Sequence, residues 1–360
     1  MDDRNAQVGW TEAQWNRVRE EVLQAWQRVR VAGSFLPIYG PLPPSTQVVP
    51  SEVLKLDGSI DDEATASLVE IALPVRLSRQ QIMEEDLSSA LLQFRRRATQ
   101  LGQLEDWFIF NGTYPSIKPT ANAQAAFERE KVGLPNYRPA LAHLNASDPS
   151  QRARISGTPT SIKGLTHDLQ LEGMRQQNPG SLGLIGGPRV EQQQKAARAA
   201  RAAPAAPGAP AVPPDNNTRM QAIIINAINS LEDNGYVAPY VCVFGRKPFQ
   251  AAFTPINNST VLPRDRIEPL IGRELLHASG IDIPPYEPGR YENLKTEEWP
   301  KRGVLLSMAD EPIDLALAAE ATVEFRQVEL SGKYVFSVFE RFALRIKDAQ
   351  AIVPLMFEFR

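Results

Sequence analysis

The longest alternation of apolar and polar positions lies near the C-terminus, in residues 333–355, KYVFSVFERFALRIKDAQAIVPL. Tyr334, Phe336, Val338, Phe342, Leu344 and Ile346 share the even positions. Val335, Ser337, Phe339, Arg341, Ala343 and Arg345 take the odd ones. A period of two held over that length predicts one long, half-buried β-strand, ending at Lys347-Asp348 with a short apolar tail beyond. A strand of this length crosses a whole subunit and suits an architectural protein better than an enzyme pocket. An ordinary strand of an α+β domain is the alternative.

A different period governs the N-terminal region. Trp15, Val18, Val22, Trp26 and Val29 recur every three or four residues and predict an amphipathic helix from Thr11 to Arg30, with Thr11 as N-cap and Gln14 at the capping-box position. Two tryptophans make its apolar face large, so the helix is expected to dock on its own domain or on a neighbouring subunit. Gly33 to Pro50 holds five prolines and two glycines and reads as extended, irregular chain. Residues 48–77 read as a β-hairpin-like excursion turning at Asp57-Gly58, with Pro74 placed for an edge strand or a bulge.

The strongest helical pattern spans residues 78–110. A first turn starts at Ser78 and a second start follows at Asp86. Leu87, Leu91, Phe94, Ala98, Leu101 and Phe108 share a face that Glu105 interrupts, and Asn111-Gly112 closes the pattern. Arg95, Arg96 and Arg97 lie on its polar side, as a solvated face or as subunit contacts.

Residues 113–218 lose this periodicity. They are rich in Ala, Gln, Pro and Arg, and 191–214 is low-complexity, so the segment reads as a partly flexible insertion. Order is expected to return with a helix from Met220 closed by Asn234-Gly235, then a buried strand at 240–244 and helical stretches at 249–253 and 264–277. A Pro/Gly/Tyr-rich loop follows at 277–302, and strands at 303–308, 313–318 and 321–328 lead into the terminal strand. The order predicts an α+β fold with one discontinuous domain wrapped around another.

Composition narrows the picture. The chain has 360 residues, 42% of them hydrophobic, enough for a substantial core in one or two domains. A net charge of −3 carries no footprint of nucleic-acid binding. A single cysteine, Cys242, excludes an internal disulfide framework, fits a reducing compartment, and sits in an apolar run as a buried small hydrophobe. The N-terminal residues lack the signal-peptide pattern and no window spans a membrane, so an intracellular soluble protein is expected.

No catalytic or metal signature appears. The histidines are His143, His167 and His277, and no H-E-x-x-H, C-x-x-C, G-x-S-x-G or phosphate-loop spacing exists. The carboxylate pairs Asp61-Asp62 and Glu84-Glu85 read as surface solvation. No catalytic, cofactor or metal residue is assigned, and the chain is read as not an enzyme.

Four stretches resemble encapsulin shell proteins of the linocin-M18 type, bacterial nanocompartment proteins with the HK97 phage-capsid fold. Residues 10–41, WTEAQWNRVREEVLQAWQRVRVAGSFLPIYGP, are similar to the family's N-terminal helix and arm. LVEIALPVRLSRQQI (68–82) is similar to the segment that enters its long helix. LSSALLQFRRRATQLGQLEDWFIFNG (87–112) resembles its spine helix, with the Glu105-Asp106 pair and the closing Ile109-Phe110-Asn111-Gly112. VFSVFERFALRIKDAQAIVPL (335–355) resembles its C-terminal strand.

The resemblance implies a subunit plan: N-terminal helix and arm at 1–50, E-loop and adjoining strand at 51–77, P-domain spine helix at 78–112, an insertion at 113–218, mainly A-domain at 219–308, and P-domain strands with the C-terminal tail at 309–360. It implies an icosahedral shell built from copies of the chain itself, sixty or a multiple, enclosing a cargo protein in the cytoplasm, with no membrane or nucleic-acid partner. A phage or prophage major capsid protein of the same fold is the alternative. Where relatives carry a basic and an acidic residue beside the groove for cargo-targeting peptides, this chain has Gly33 and Pro37, so the resemblance implies either that the usual peptide is not captured or that the groove is more apolar. Its candidate contacts are Trp26, Phe35 and Leu36, which otherwise pack the helix onto its domain. The tryptophan that stacks a flavin in some relatives has no counterpart in residues 77–85, and no cofactor is assigned.

Overall fold

A computed structural model of the protein describes residues 5–54, 59–111, 154–156, 216–255, 260–282 and 301–357. Thr11 opens the first helix. Its hydroxyl accepts the Gln14 N–H while the Gln14 side chain accepts the Thr11 N–H, so glutamine completes the capping box. The helix, α1 (Glu12–Gln27), buries Trp15, Val18, Val22 and Trp26, which is the predicted stripe.

Extended chain follows, with β1 (Ile38–Tyr39), β2 (Val48–Pro50) and β3 (Val53–Leu54) leading out, and β4 (Ile60–Asp61) and β5 (Thr65–Ser67) leading back. β3 pairs with β4 and β2 with β5, both antiparallel, which is the hairpin-like excursion expected at 48–77. Its Asp57-Gly58 turn lies outside the described residues. β6 (Val69–Leu77) runs to the Ser78-capped turn α2 (Arg79–Ile82) and then to the long helix α3 (Ser88–Asn111). The second start predicted at Asp86 is real. Leu87 sits at φ 54°, and the first free N–H groups of α3, on Ser88 and Ser89, donate to the Asp86 and Glu84 carboxylates.

Beyond α3 come β7 (Arg154–Ser156), α4 (Asn216–Asp233), β8 (Tyr240–Phe244), α5 (Arg246–Ala252), α6 (Pro263–Ile271), β9 (Leu276–His277), β10 (Lys301–Ser307), β11 (Ile313–Val328), β12 (Tyr334–Ile346) and β13 (Ile352–Phe357). One sheet has the order β1-β11-β12-β6-β7, antiparallel apart from the β1–β11 pair. The other has the order β13-β10-β8-β9, with only β8–β9 parallel. In the first sheet one face meets α1 and α3. The alternation of β12 holds there, because Phe336, Val338, Phe342 and Leu344 all enter that core. Rings concentrate around Phe336, which lies 5.2 Å from Trp10, 6.1 Å from Trp15, 5.4 Å from Phe94 and 5.4 Å from Phe325.

The second sheet is buried on both faces. Val241, Val243, Val304 and Leu306 join the first core, while Tyr240, Cys242, Phe244 and Leu305 pack under α4, α5 and α6. Burial on two sides explains why 240–244 is uniformly apolar, not alternating. The two sheets are joined by two short crossings, residues 308–312 and 347–351, that lie side by side: the Pro312 carbonyl accepts both the Lys347 and the Asp348 N–H.

The structure corrects several expectations. Residues 113–218, read as one insertion, supply β7, which adds to β6 through Glu70–Ala72, and they include the start of α4 at Asn216; the remainder, with the flexibility expected at 195–214, lies outside the described residues. β7 reaches only that far along β6, so Pro74 falls past it, at an edge. The stretch 264–277 is helical only to Ile271, because Gly272 ends α6 at φ 72° and residues 276–277 become β9. The strands at 313–318 and 321–328 are one strand, β11, whose register shifts between Leu317 and Thr322. The apolar tail, grouped with the terminal strands of the first sheet, leaves it and pairs as β13 with β10. The loop 277–302 begins and ends in strand, and its residues 283–300 lie outside the described set.

Candidate functional site

Two features of this framework have functional chemistry: a limb held on the outside and a charge cluster held within. The limb is the extended chain from β1 to β5. β12 faces it with two arginines. Arg345 makes a two-pronged pair with Asp314, Nε to Oδ1 at 2.6 Å and Nη2 to Oδ2 at 2.5 Å, and donates from Nη1 to the Pro50 carbonyl at 3.0 Å. Its guanidinium also lies 3.7 Å from the Tyr39 ring centre. Arg341 donates to the carbonyls of Pro44 and Thr46. Beneath, Val49, Leu68, Ala316, Ala318 and Ala343 form a small apolar cluster that seats the root of the limb. Its outer side stays exposed and apolar: Ile38 is 52% and Ile60 59% accessible, and Tyr39, Val48 and Leu54 are also exposed.

The cluster sits where α1 ends. Arg30 turns inward beside Gly33 and donates from Nη2 to Glu105 Oε1 at 2.7 Å, its guanidinium 3.9 Å from the Trp26 ring centre. A Cβ on residue 33 would stand 2.0 Å from Arg30 Nε, so glycine there is what gives the guanidinium its place. A second glycine lets the two helices meet. A Cβ at Gly102 of α3 would fall 2.8 Å from Val29 Cγ2 and 3.1 Å from the Trp26 carbonyl. Asp106 accepts the Val31 N–H at 2.8 Å and the Ala32 N–H at 2.9 Å, tying the first residues after α1 to α3.

Glu340 of β12 completes the group. It and Glu105 are 0% exposed, and Glu340 Oε1 and Oε2, Glu105 Oε2, Arg30 Nε and Trp26 Nε1 complete no hydrogen bond of good geometry, although the Trp26 side chain lies close enough to both glutamates to favour their charged forms. Three buried carboxyls therefore share one guanidinium. Burial pushes Glu105 up to about 8, with Arg30 opposing and Asp106 adding to the rise. Burial and then the Glu105 charge push Glu340 well above the ordinary carboxylate range. Asp106 is raised to about 7 by burial, against the two backbone N–H groups that favour its charge. Among the described residues no cluster of His, Cys, Asp or Glu is arranged to hold a metal ion, and no helix is long and apolar enough to cross a membrane.

No family model and no curated protein matches the chain. Similar solved structures include the virus-like particle from Pyrococcus furiosus, at 11% identity over 96% of this chain and 100% of that one, with a TM-score of 0.48. The capsid of the empty GTA particle is similar at 12% identity over 91% of this chain and 89% of that one, TM-score 0.48. The SrpI encapsulin of Synechococcus elongatus PCC 7942 is similar at 10% identity over 91% and 89%, TM-score 0.36.

The three groove candidates fall in different places. Trp26 is sealed between Arg30 and the α1–α3 contact, and Leu36 is buried in the first core. Phe35 is also part of that core, but it reaches a hollow of about 270 Å³ lined by Ser34, Phe35, Val241, Arg273, Glu274 and Leu276. Of the three arginines on α3, Arg95 pairs with Glu21 of α1 through two bonds of 2.7 Å, Arg97 donates to Gln100, and Arg96 is exposed. Cys242 is buried, and burial pushes its thiol pKa up.

Sequence reasoning missed Glu340 and the inward turn of Arg30. Glu340 shares the even, core-facing positions of β12, so a carboxylate in an otherwise apolar row was the available signal. Arg30 offered none of its own, because the end of an amphipathic helix is an ordinary place for a solvated arginine.

Proposed function

We propose that this chain is a self-assembling shell subunit of the encapsulin type, with the HK97-capsid plan outlined above, which closes an icosahedral compartment around a cargo protein. The observation that carries this reading is the limb. It is pinned to the body by Arg341 and Arg345, yet it presents Val48, Leu54 and Ile60 outward with only two-stranded ladders behind them, and Ile38 outward beside the edge of the first sheet. Isolated two-stranded ladders are marginal in water, and a row of exposed apolar residues on one gains stability by lying on another copy. Closed symmetry repeats each such contact around the shell. The four stretches similar to encapsulin shell proteins, and the sequence of arm helix, β-excursion, long helix and terminal strands, support the same reading.

Light scattering on the purified full-length chain, with electron microscopy, tests it. Hollow megadalton particles containing protein but no DNA are expected. A folded monomer persisting at micromolar concentration overturns the shell, and particles filled with DNA replace the compartment with a phage-type capsid. Ile60→Asp is expected to raise the concentration needed for assembly about 10- to 100-fold, because each apolar side chain buried is worth ~1.5–3 kcal/mol. Circular dichroism should meanwhile show an intact fold.

For cargo, the hollow beside Phe35 is the part of the implied groove still open to a peptide. Phe35→Ala is expected to lower the amount of protein that co-purifies inside the particles several-fold without changing particle size, read by mass spectrometry of the contents. Equal loading of the variant places the cargo contact elsewhere.

A further inference from the structure

The buried carboxyls do more than join α1 to α3. The body contributes Glu105 and Asp106 from α3 and Glu340 from β12, and Trp26 and Arg30 come from α1 and the turn after it. No other charged or titratable group of the described residues is identified as acting on Glu340. Next along the chain stand Val31 and Ala32, held by Asp106, and then the extended arm. One guanidinium balances one carboxylate at close range. A second carboxylate in the same dry space makes no hydrogen bond of good geometry, has the Trp26 side chain as its neighbouring donor and no cation of its own, and a shared proton is the simplest species that satisfies it.

We propose that Arg30, Glu105 and Glu340 form a proton-operated latch: with one proton held between the two glutamates the start of the arm stays docked on α3 and β12, and loss of that proton in mild alkali releases it. The inference stands on the cluster within one subunit and does not depend on the shell. Its direction follows from linkage. The folded state binds these protons more tightly than the unfolded chain does, so the stabilisation is complete in acid. It declines as pH rises beyond the ordinary carboxyl range and is lost through about 8, where Glu105 titrates. An opening confined to the α1–arm junction is the local expression of that loss, since Arg30, Val31 and Ala32 are the atoms held there.

Amide hydrogen exchange on the full-length protein, corrected for the intrinsic pH dependence of exchange, reads the latch directly. Between pH 6.5 and 9, exchange of residues 28–36 is expected to rise at least tenfold with a midpoint near 8, while the middle of α3 stays protected. Glu340→Gln and Glu105→Gln each leave a single glutamate beside Arg30, with Asp106 still held by the Val31 and Ala32 N–H groups, and either is expected to flatten the transition. Three results overturn the proposal: no pH-dependent exchange in residues 28–36, a rise shared equally by α3, or an unchanged midpoint in whichever variant folds.

Discussion

Replacing Arg30 with methionine is expected to destabilise the protein by about 3–5 kcal/mol at pH 8, because it leaves buried carboxylates without their cation while keeping most of the side-chain stem. The pair it breaks, Arg30 to Glu105, is fully enclosed, so water cannot replace the lost contact. At pH 5.5 the same substitution is expected to cost only ~1–2 kcal/mol, since the buried carboxyls can then take up a further proton in place of the lost cation. Denaturant unfolding of wild type and variant, compared at equal chain concentration, measures both values. A penalty that does not change with pH would mean that Arg30 acts by packing on Trp26 and not by charge. Gly33→Ala should act like a milder form of the same lesion. Its methyl competes for the place of the guanidinium, and the ion pair and the Trp26 ring leave that group little room to move.

Truncating Phe336 to alanine is expected to cost a similar ~3–5 kcal/mol, from lost burial and the cavity left behind. The side chain is fully buried among four aromatic neighbours, stacked on Trp10 with an interplanar angle of 16°, tilted against Trp15 and edge-on to Phe94 and Phe325. Trp10 in turn donates its indole N–H to the Ile82 carbonyl. The cavity therefore opens between the N-terminal segment, the α2 turn and the sheet, and α1 should loosen first. Denaturant unfolding together with amide exchange along residues 10–27 checks this. A loss below about 1 kcal/mol would show that the rings repack, and that the N-terminal helix is not held by this cluster.

Much of this architecture was legible because local rules and tertiary packing agree. The α1 stripe, the Thr11 cap and the alternation of β12 each rest on a period that a few residues suffice to reveal. Failures occurred where the deciding partner is remote. β13 looks like an apolar tail until β10 is placed beside it. Arg154–Ser156 is too short to show a period, and only the edge of β6 makes it a strand. β11 looked like two strands because its register shifts where Ala318, Ala319 and Glu320 interrupt the apolar row. The charge cluster was half visible: Glu105 stood out as a break in the α3 face, but three elements converge on it and no spacing within one element reveals that. The limb could be anticipated from its prolines and turn residues. Its grip by Arg341 and Arg345 could not, since both occupy the face of β12 that a half-buried strand would turn to solvent.

The paired crossings at 308–312 and 347–351 have a mechanical consequence. Among the described residues, these are the places where strands of the two sheets follow one another directly along the chain, and Pro312 staples them together. A double-stranded pivot resists torsion far better than a single thread. Any swing of one half of the molecule against the other is thus channelled into bending about one axis, with Asp310 and Glu311, at φ 61° and 50°, on the bend itself. Because Val241, Val243, Val304 and Leu306 of the second sheet belong to the first core, such a bend has to carry that shared interior with it.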